Sequence, residues 1–187
     1  MAFTENTRDR VWLLWFCIQV PVIFCVDAVD KYPAWLCGNE GSPLHFLHTF
    51  RKWYVTTYKD PLVDWTPATA VAVGAGGSWI ELFMWIEVLF ALPVVLWSLA
   101  HFARGKKTTG ALELLLAVYA FEVAFTTAVC INDISYWSPE VYSEAQKNVF
   151  RYQLMGPWFA IPTLMFVDMY TRILARFTTT DGIKKTQ

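Results

Sequence analysis

Charged side chains are scarce in this sequence, and their scarcity excludes several classes of protein. Asp, Glu, Lys and Arg make up 17% of the 187 residues, whereas hydrophobic residues make up 56%. A soluble globular domain carries more charge, about 25% of its residues. The formal net charge is −1 and no basic stripe alternates with aromatic residues, so the sequence gives no sign of a nucleic-acid partner. This composition predicts a protein whose main partner is the lipid bilayer.

Cysteine is also rare, and its spacing excludes the common cysteine-based sites. The four cysteines are Cys17, Cys25, Cys37 and Cys130. They match neither a zinc-binding spacing nor the framework of a disulfide-rich domain. One alternative stays open, a bridge between Cys37 and Cys130. His45 and His48 lie three residues apart but have no third ligand in register, so we expect no metal ion and no cofactor.

Four apolar segments are long enough to cross a bilayer, which takes about 20 residues in a helix. They cover residues 11–29, 79–101, 111–131 and 153–173. Because lipid offers no hydrogen-bond partner to an open backbone, each segment must be a helix. The predicted fold is an all-α membrane protein, a four-transmembrane-helix bundle within residues 11–175. The aromatic, amphipathic stretch HFLHTFRKWYVTTYKDPL in the first loop is expected to fold over the lumenal mouth of the bundle as a cap.

The distribution of Lys and Arg predicts the orientation of the bundle. The short loop between the second and third spans is basic, and so is the tail 176–187. By the positive-inside rule, both these segments and the N-terminal residues 1–10 are cytosolic. The tail carries Lys184 and Lys185 near its end, a pattern typical of a dilysine retrieval signal for the endoplasmic reticulum membrane. The alternative is a solvated basic tail.

Acidic side chains inside the spans are the most informative feature of the sequence. Such groups are costly in lipid and tend to face the interior of a bundle. The acids within the predicted spans are Asp27, Glu81, Glu87, Glu113, Glu122 and Asp168. Glu81, Glu113 and Asp168 lie near span ends, where headgroups or nearby arginines can reach them. Glu122 lies at mid-span, and the sequence assigns it no role.

Asp27 and Glu87 both fall in the lumenal half of their spans, so they could occupy one cavity. Two carboxylates in a dry pocket cannot comfortably both ionise, and we expect them to share a proton. Such a pair could bind a cationic amine, cross-link two helices or move protons in an acid–base reaction; we rank them in that order. Prolines that bend the spans would open room for a ligand. These prolines are Pro21, Pro93, Pro157 and Pro162.

Four stretches of the sequence together point to a known family: VPVIFCVD, RKWYVTTYKDPL, WIEVLFALP and GPWFAIP. In their order and spacing, the chain resembles the sigma-2 receptor (transmembrane protein 97) family of the EXPERA superfamily, which also includes the emopamil-binding sterol isomerases. The resemblance covers most of residues 11–175. It implies a four-helix bundle of the endoplasmic reticulum, often a homodimer, which opens sideways to the bilayer and binds sterols and cationic amphiphiles.

The resemblance also implies roles for particular residues. Asp27 corresponds to the acid that pairs with the amine of the ligand, and Glu87 to its protonated, hydrogen-bonded partner. Asp60 corresponds to a loop acid that supports the site structurally. Trp158 falls where the family places an aromatic ring against the ligand.

Three positions depart from the patterns of the superfamily. Sterol isomerases place a histidine four residues before the first acid, where this chain has Ile23, and an asparagine where it has Met155. Gln19 stands where the sigma-2 receptor has a histidine, and Met155 also replaces a tyrosine of that family. Two polar groups that would help an isomerase are therefore missing.

The acid pair favours a binding role over an enzymatic one, and the resemblance implies sterols or amphiphilic amines as ligands and a role in sterol and lipid homeostasis. The expected ligand-binding residues are Asp27, Glu87, Trp158, Met155 and Gln19, with structural support from Asp60, Pro21 and Pro93. The first alternative is a Δ8–Δ7 sterol isomerase in which Asp27 and Glu87 exchange protons with the sterol. The second is a quality-control factor at the surface of the endoplasmic reticulum that handles mitochondrial precursor proteins, for which the sequence shows no docking motif.

Overall fold

The structure, a computed structural model, describes residues 5–65 and 79–184. Within these two ranges the chain is helical and forms no β-strand. Among the described residues, three helical segments are long and apolar enough to cross a membrane: Glu5–Lys31, Trp79–Ala103 and Gly110–Ile134. We call them the first, second and third spans. The all-α fold is confirmed, and the chain has the features of a multi-pass membrane protein.

The first span is longer than the predicted segment 11–29. It consists of α1 (Glu5–Val22), a π-helical turn (Ile23–Asp27) and a 3₁₀ turn (Ala28–Lys31). The helix begins before the apolar stretch because its polar first turns have partners. Arg8 donates to Asp168, and Arg172 donates to Asp9 at 2.7 Å.

The first loop contains α2 (His45–Tyr58), which packs against the π-turn of the first span and against a second π-turn, Ala34–Gly38. The helix ends at Lys59, whose φ of 54° places it in the left-handed region. Pro61 follows and cannot continue a helix. The Tyr142 hydroxyl donates to the Lys59 carbonyl at 2.7 Å, which fixes this corner. The helix thus covers one end of the bundle, which we call the α2 end.

The second and third spans agree with the predicted segments to within a few residues. The second consists of α3 (Trp79–Ile86), a π-turn (Glu87–Ala91) and α4 (Leu92–Ala103). A tight turn with Gly105 at φ 63° leads into the third span, α5 (Gly110–Ile134). The helix α5 begins there because the Thr109 side chain accepts a hydrogen bond from the Leu112 N–H at 3.3 Å.

The last part of the chain forms α6 (Glu144–Asn148), a π-turn (Val149–Leu154) and α7 (Met155–Lys184). A capping box between Ser143 and Gln146 starts α6. The helix α7 packs along α5 and covers most of the predicted fourth span, 153–173. It is less apolar than the three spans because it carries prolines and the charged residues Asp168 and Arg172. That α7 crosses the membrane remains a prediction.

Ion pairs join the helices at the end opposite α2. Arg176 donates to Glu113 at 2.6 and 2.8 Å, which links α7 to α5. Asp168 accepts from Arg172 at 2.8 Å and from the Trp12 indole at 2.7 Å, which links α7 to α1. Pairing of Glu113 and Asp168 with arginines confirms the expectation for these acids.

Two sequence-based alternatives concern the cysteines and the tail. The bridge between Cys37 and Cys130 is not formed, and both thiols are free. Cys37 lies beneath α2, where its thiol donates to the Leu44 carbonyl at 3.3 Å. Cys130 instead faces the cavity described below. Of the retrieval signal, the side chain of Lys184 and all of Lys185 lie outside the described residues.

Candidate functional site

A cavity of about 450 Å³ lies within the bundle near the α2 end. All three spans contribute to its wall, and so do α2, the turn after α2 and the start of α7. Most of the wall is apolar and aromatic, with side chains such as Phe83, Met84 and Val123. Four carboxyl side chains interrupt it: Asp27, Asp60, Glu87 and Glu122. A cavity of this size and composition suits a small, mostly apolar ligand with a polar group.

The residues that the sequence singles out converge on this cavity. Asp27, Asp60, Glu87, Gln19, Met155 and Trp158 all line it. Asp27 comes from the first span and Glu87 from the second, and both line this one cavity. Pro21 and Pro93 lie outside the lining and are exposed on the bundle surface. The structure therefore brings the two acids together, and their part in binding remains a prediction.

Wide π-turns present the cavity side chains. Asp27 ends the π-turn Ile23–Asp27, and Glu87 begins the π-turn Glu87–Ala91. A π-turn inserts one extra residue into a helix, rotates the side chains that follow and often occurs at functional sites. The proline ring clashes with the carbonyl four residues earlier in a regular helix. For Pro93 that carbonyl belongs to Leu89, inside the π-turn, which indicates why the turn forms there.

Pro157 has the same relationship to the π-turn Val149–Leu154, which contains Gln153 four residues before it. Gln153 and Leu154 line the cavity, and so does Met155 at the start of α7. Trp158 lies one turn further along α7 and packs edge-on against Trp15, with ring centroids 5.2 Å apart. This contact holds the indole of Trp158 against the cavity.

Asp60 is fully buried and organises the turn that closes the α2 end of the cavity. Its carboxylate accepts hydrogen bonds from the Leu62 N–H at 2.9 Å and from the Tyr54 hydroxyl at 2.9 Å. A carboxylate that bonds the backbone two residues on forms an Asx-turn. Asp60 therefore ties α2 to the turn after it, which agrees with the structural role implied by the resemblance.

The electrostatics of this turn follow from burial. Burial raises the pKa of Asp60, and the hydrogen bonds from Leu62 and Tyr54 oppose that shift. Burial and the adjacent Asp60 charge raise the pKa of Tyr54, so its hydroxyl stays a neutral donor. Arg51 donates to Asp30 and to the Val63 carbonyl, which places its charge on the turn rather than in the centre of the cavity.

Two side chains of the cavity wall, Gln19 and Glu122, carry polar atoms whose hydrogen-bonding partners the sequence could not predict. The Gln19 amide nitrogen donates to the Tyr119 hydroxyl at 2.8 Å. In the described part of the chain, the Gln19 Oε1 and Glu122 Oε2 atoms are buried without a hydrogen-bond partner. The preference of intramembrane acids for the bundle interior was the only sequence signal for Glu122. The third span is apolar on all sides, so its periodicity could not show which face Glu122 occupies.

The arrangement has two chemical capabilities. Buried carboxylates within an apolar, aromatic wall can hold a cationic group, because the ring faces and the anion both attract positive charge. The same carboxylates can also exchange protons with a bound molecule that lies within hydrogen-bond reach.

Comparison with protein families adds independent information. The EBP family, described as EXPERA (EXPanded EBP superfamily), matches residues 46–169. The match includes Asp60, Glu87, Glu122 and Trp158, and it begins after Asp27. It spans the second and third spans, the turn after α2 and the first half of α7. The chain therefore belongs to the EXPERA superfamily.

Proposed function

We propose that the protein binds a cationic amphiphile or a sterol in the cavity, in the manner of the sigma-2 receptor. Asp27 is the counter-ion of the ligand amine, and Glu87 is its protonated partner acid on the second span. Two neighbouring carboxyl groups away from water favour one shared proton over two negative charges. One ionised and one protonated acid then match a single positive charge on the ligand.

The observation that carries this proposal is the placement of Asp27 and Glu87 in one largely apolar cavity. If the two acids only cross-linked helices, they would need no space beside them. The volume next to them is large enough for a ligand, and Trp158 and Phe83 supply the aromatic wall that a cationic amphiphile prefers. Membership of the EXPERA superfamily supports a sterol-related ligand class.

The cellular setting belongs to the same proposal. The protein resides in the endoplasmic reticulum membrane with both termini cytosolic, α7 as a fourth span and α2 as a lumenal cap. The basic loop between the second and third spans supports this orientation. From that location the protein contributes to sterol and lipid homeostasis.

Saturable binding of radiolabelled decylamine to the purified protein in nanodiscs tests the proposal. We expect the wild type to bind one equivalent, and Asp27→Asn and Glu87→Gln each to weaken binding at least tenfold. Glu81→Gln is the matched control, since Glu81 is an exposed acid of the second span outside the cavity lining. Binding that is unchanged in Asp27→Asn would overturn the assignment of the site.

A second candidate function is the Δ8–Δ7 sterol isomerase, favoured by the presence of several carboxyl groups in one sterol-sized cavity. Glu87 would give a proton to the sterol ring and Asp27 would take one up. Ile23, at the isomerase histidine position, is buried in the core rather than in the cavity wall, and Met155 supplies no polar group there. Conversion of a Δ8 sterol in reconstituted membranes, abolished by Glu87→Gln, would establish this function. Absence of turnover in the wild type would eliminate it.

A further inference from the structure

The acids of the cavity lie at different depths in the bundle. Asp27 lies four residues before Lys31, the end of the first span, which is about 6 Å along a helix. Glu81 of the second span lies 4.0 Å from Lys31 and is therefore near the same end, and Glu87 lies six residues further along, about 9 Å deeper. Glu122 lies twelve residues before Ile134, at about 18 Å. The carboxyl groups therefore form a series that descends from the α2 end towards mid-depth.

Gln19 lies at the same depth as Glu122. It is twelve residues before Lys31, again at about 18 Å. Gln19 is 2% exposed, lines the cavity and contacts the Tyr119 hydroxyl through its amide nitrogen. Tyr119 and Glu122 are three residues apart on α5, so their side chains share one face of that helix. Gln19, Tyr119 and Glu122 thus form one polar cluster at the deep part of the cavity.

The deep cluster contains two hydrogen-bond acceptor atoms that receive no hydrogen bond from the described part of the chain. Gln19 Oε1 and Glu122 Oε2 are both buried and, among the described residues, have no hydrogen-bond partner. Buried polar atoms in folded proteins are nearly always paired, and an unpaired acceptor destabilises the site that contains it. A ligand that brings a donor to this depth removes that cost. Gln19 Oε1 is an acceptor, and so is Glu122 Oε2 when the carboxyl group is ionised, so the proposed partner is a donor.

We propose that Gln19 and Glu122 form a second polar subsite, which binds a hydrogen-bond donor at the end of the ligand opposite its amine. This inference rests on the proposed function, since it takes Asp27 and Glu87 as the site of the amine. The preferred ligands are elongated molecules with an ammonium group at one end and a hydroxyl or second ammonium group at the other. Along the bundle, the deep subsite lies about 12 Å from Asp27 and about 9 Å from Glu87.

The test compares decylamine with two ten-carbon relatives that carry a second donor, 10-amino-1-decanol and 1,10-diaminodecane. Unlabelled decylamine, 10-amino-1-decanol and 1,10-diaminodecane each compete with radiolabelled decylamine for the protein in nanodiscs. The measured quantity is the affinity of the amino alcohol or the diamine divided by the affinity of decylamine. We expect Gln19→Leu and Glu122→Leu each to lower this ratio at least tenfold. Glu122→Gln keeps an oxygen acceptor but no charge, so it should lower the ratio more for the diamine than for the amino alcohol.

Controls separate this inference from the proposed function. Glu81→Gln should leave the ratios as in the wild type, whereas Asp27→Asn should weaken all three ligands together. Equal ratios in the wild type, Gln19→Leu and Glu122→Leu would overturn the second subsite and leave the amine site standing. If Glu122→Leu lowers the affinity ratios but Asp27→Asn leaves binding of all three ligands unchanged, the amine site alone is overturned. No saturable decylamine binding by the wild type would overturn both.

Discussion

Asp27 is the last residue of one π-turn and Glu87 the first residue of another, and the two side chains face the same cavity. The two π-turns thus direct both carboxyl groups into the cavity. A π-turn is a less regular conformation than the helix around it and often occurs at functional sites. Two such turns on adjacent spans each carry an acid of the cavity, and under our proposal both carboxyl groups serve the ligand.

In the proposed site, the ring face of Trp158 attracts the cationic group of the ligand. We expect Trp158→Leu to weaken decylamine binding about tenfold, equivalent to about 1.4 kcal/mol, because leucine cannot attract a cation in this way. Trp158→Phe keeps an aromatic face and should retain most of the affinity. Trp97→Leu is the matched control, since Trp97 is 57% exposed and outside the cavity lining. Equal affinities in Trp158→Leu and Trp97→Leu would remove Trp158 from the site.

Asp60 stabilises the turn at the α2 end. Asp60→Ala would leave the buried Leu62 N–H and the Tyr54 hydroxyl without their acceptor, and we expect a loss of about 1–3 kcal/mol in the free energy of unfolding. Asp60→Asn keeps one oxygen acceptor for the turn and should lose less. Chemical unfolding in detergent, followed by intrinsic tryptophan fluorescence, measures both. If Asp60→Ala proved as stable as the wild type but lost decylamine, Asp60 would contact the ligand instead of supporting the turn.

Asp168 stabilises the opposite end of the bundle. It is 8% exposed and accepts hydrogen bonds from Arg172, Trp12 and Arg8. Its removal would leave the buried Trp12 N–H without an acceptor, at a cost of about 1–3 kcal/mol, whereas Arg172 would keep its ion pair with Asp9. We expect a loss of this size for Asp168→Ala in chemical unfolding experiments.

A weak ion pair provides the control for Asp168. Lys31 and Glu81 lie 4.0 Å apart, and the Glu81 side chain is half-exposed. Such a pair contributes about 1 kcal/mol or less, so Glu81→Ala should have little effect. Similar losses of stability for Asp168→Ala and Glu81→Ala would show that the hydrogen bonds of Asp168 do not hold α7 against α1.

Part of the fold and site could be predicted because single residues carry strong signals in a membrane protein. The apolar lengths of the three spans indicate helices, since few other structures satisfy the backbone in lipid. A carboxyl group inside a span almost always faces the bundle interior, because exposure to lipid is costly. That is why Asp27 and Glu87 could be assigned to one cavity before their positions were known.

Other features depend on contacts that the sequence does not encode locally. The extension of the first span to residues before Val11 depends on pairing between Asp9 and Arg172, which are far apart in sequence. The bond between Gln19 and Tyr119 likewise joins two spans. The π-turns reflect a balance between proline geometry and packing that helix periodicity cannot show. Local patterns could therefore place the acids of the first and second spans, but not the deep polar cluster.

The central claim is that the cavity itself holds the ligand, and photo-crosslinking tests it most directly. A decylamine derivative with a diazirine at its far end would be bound, activated by light and mapped by peptide mass spectrometry. We predict labels on the cavity wall, in the peptides that contain Glu122 and Trp158, and their loss when excess decylamine competes. Labels confined to lipid-facing side chains such as Leu89 and Trp97, or labels that excess decylamine does not reduce, would contradict the account.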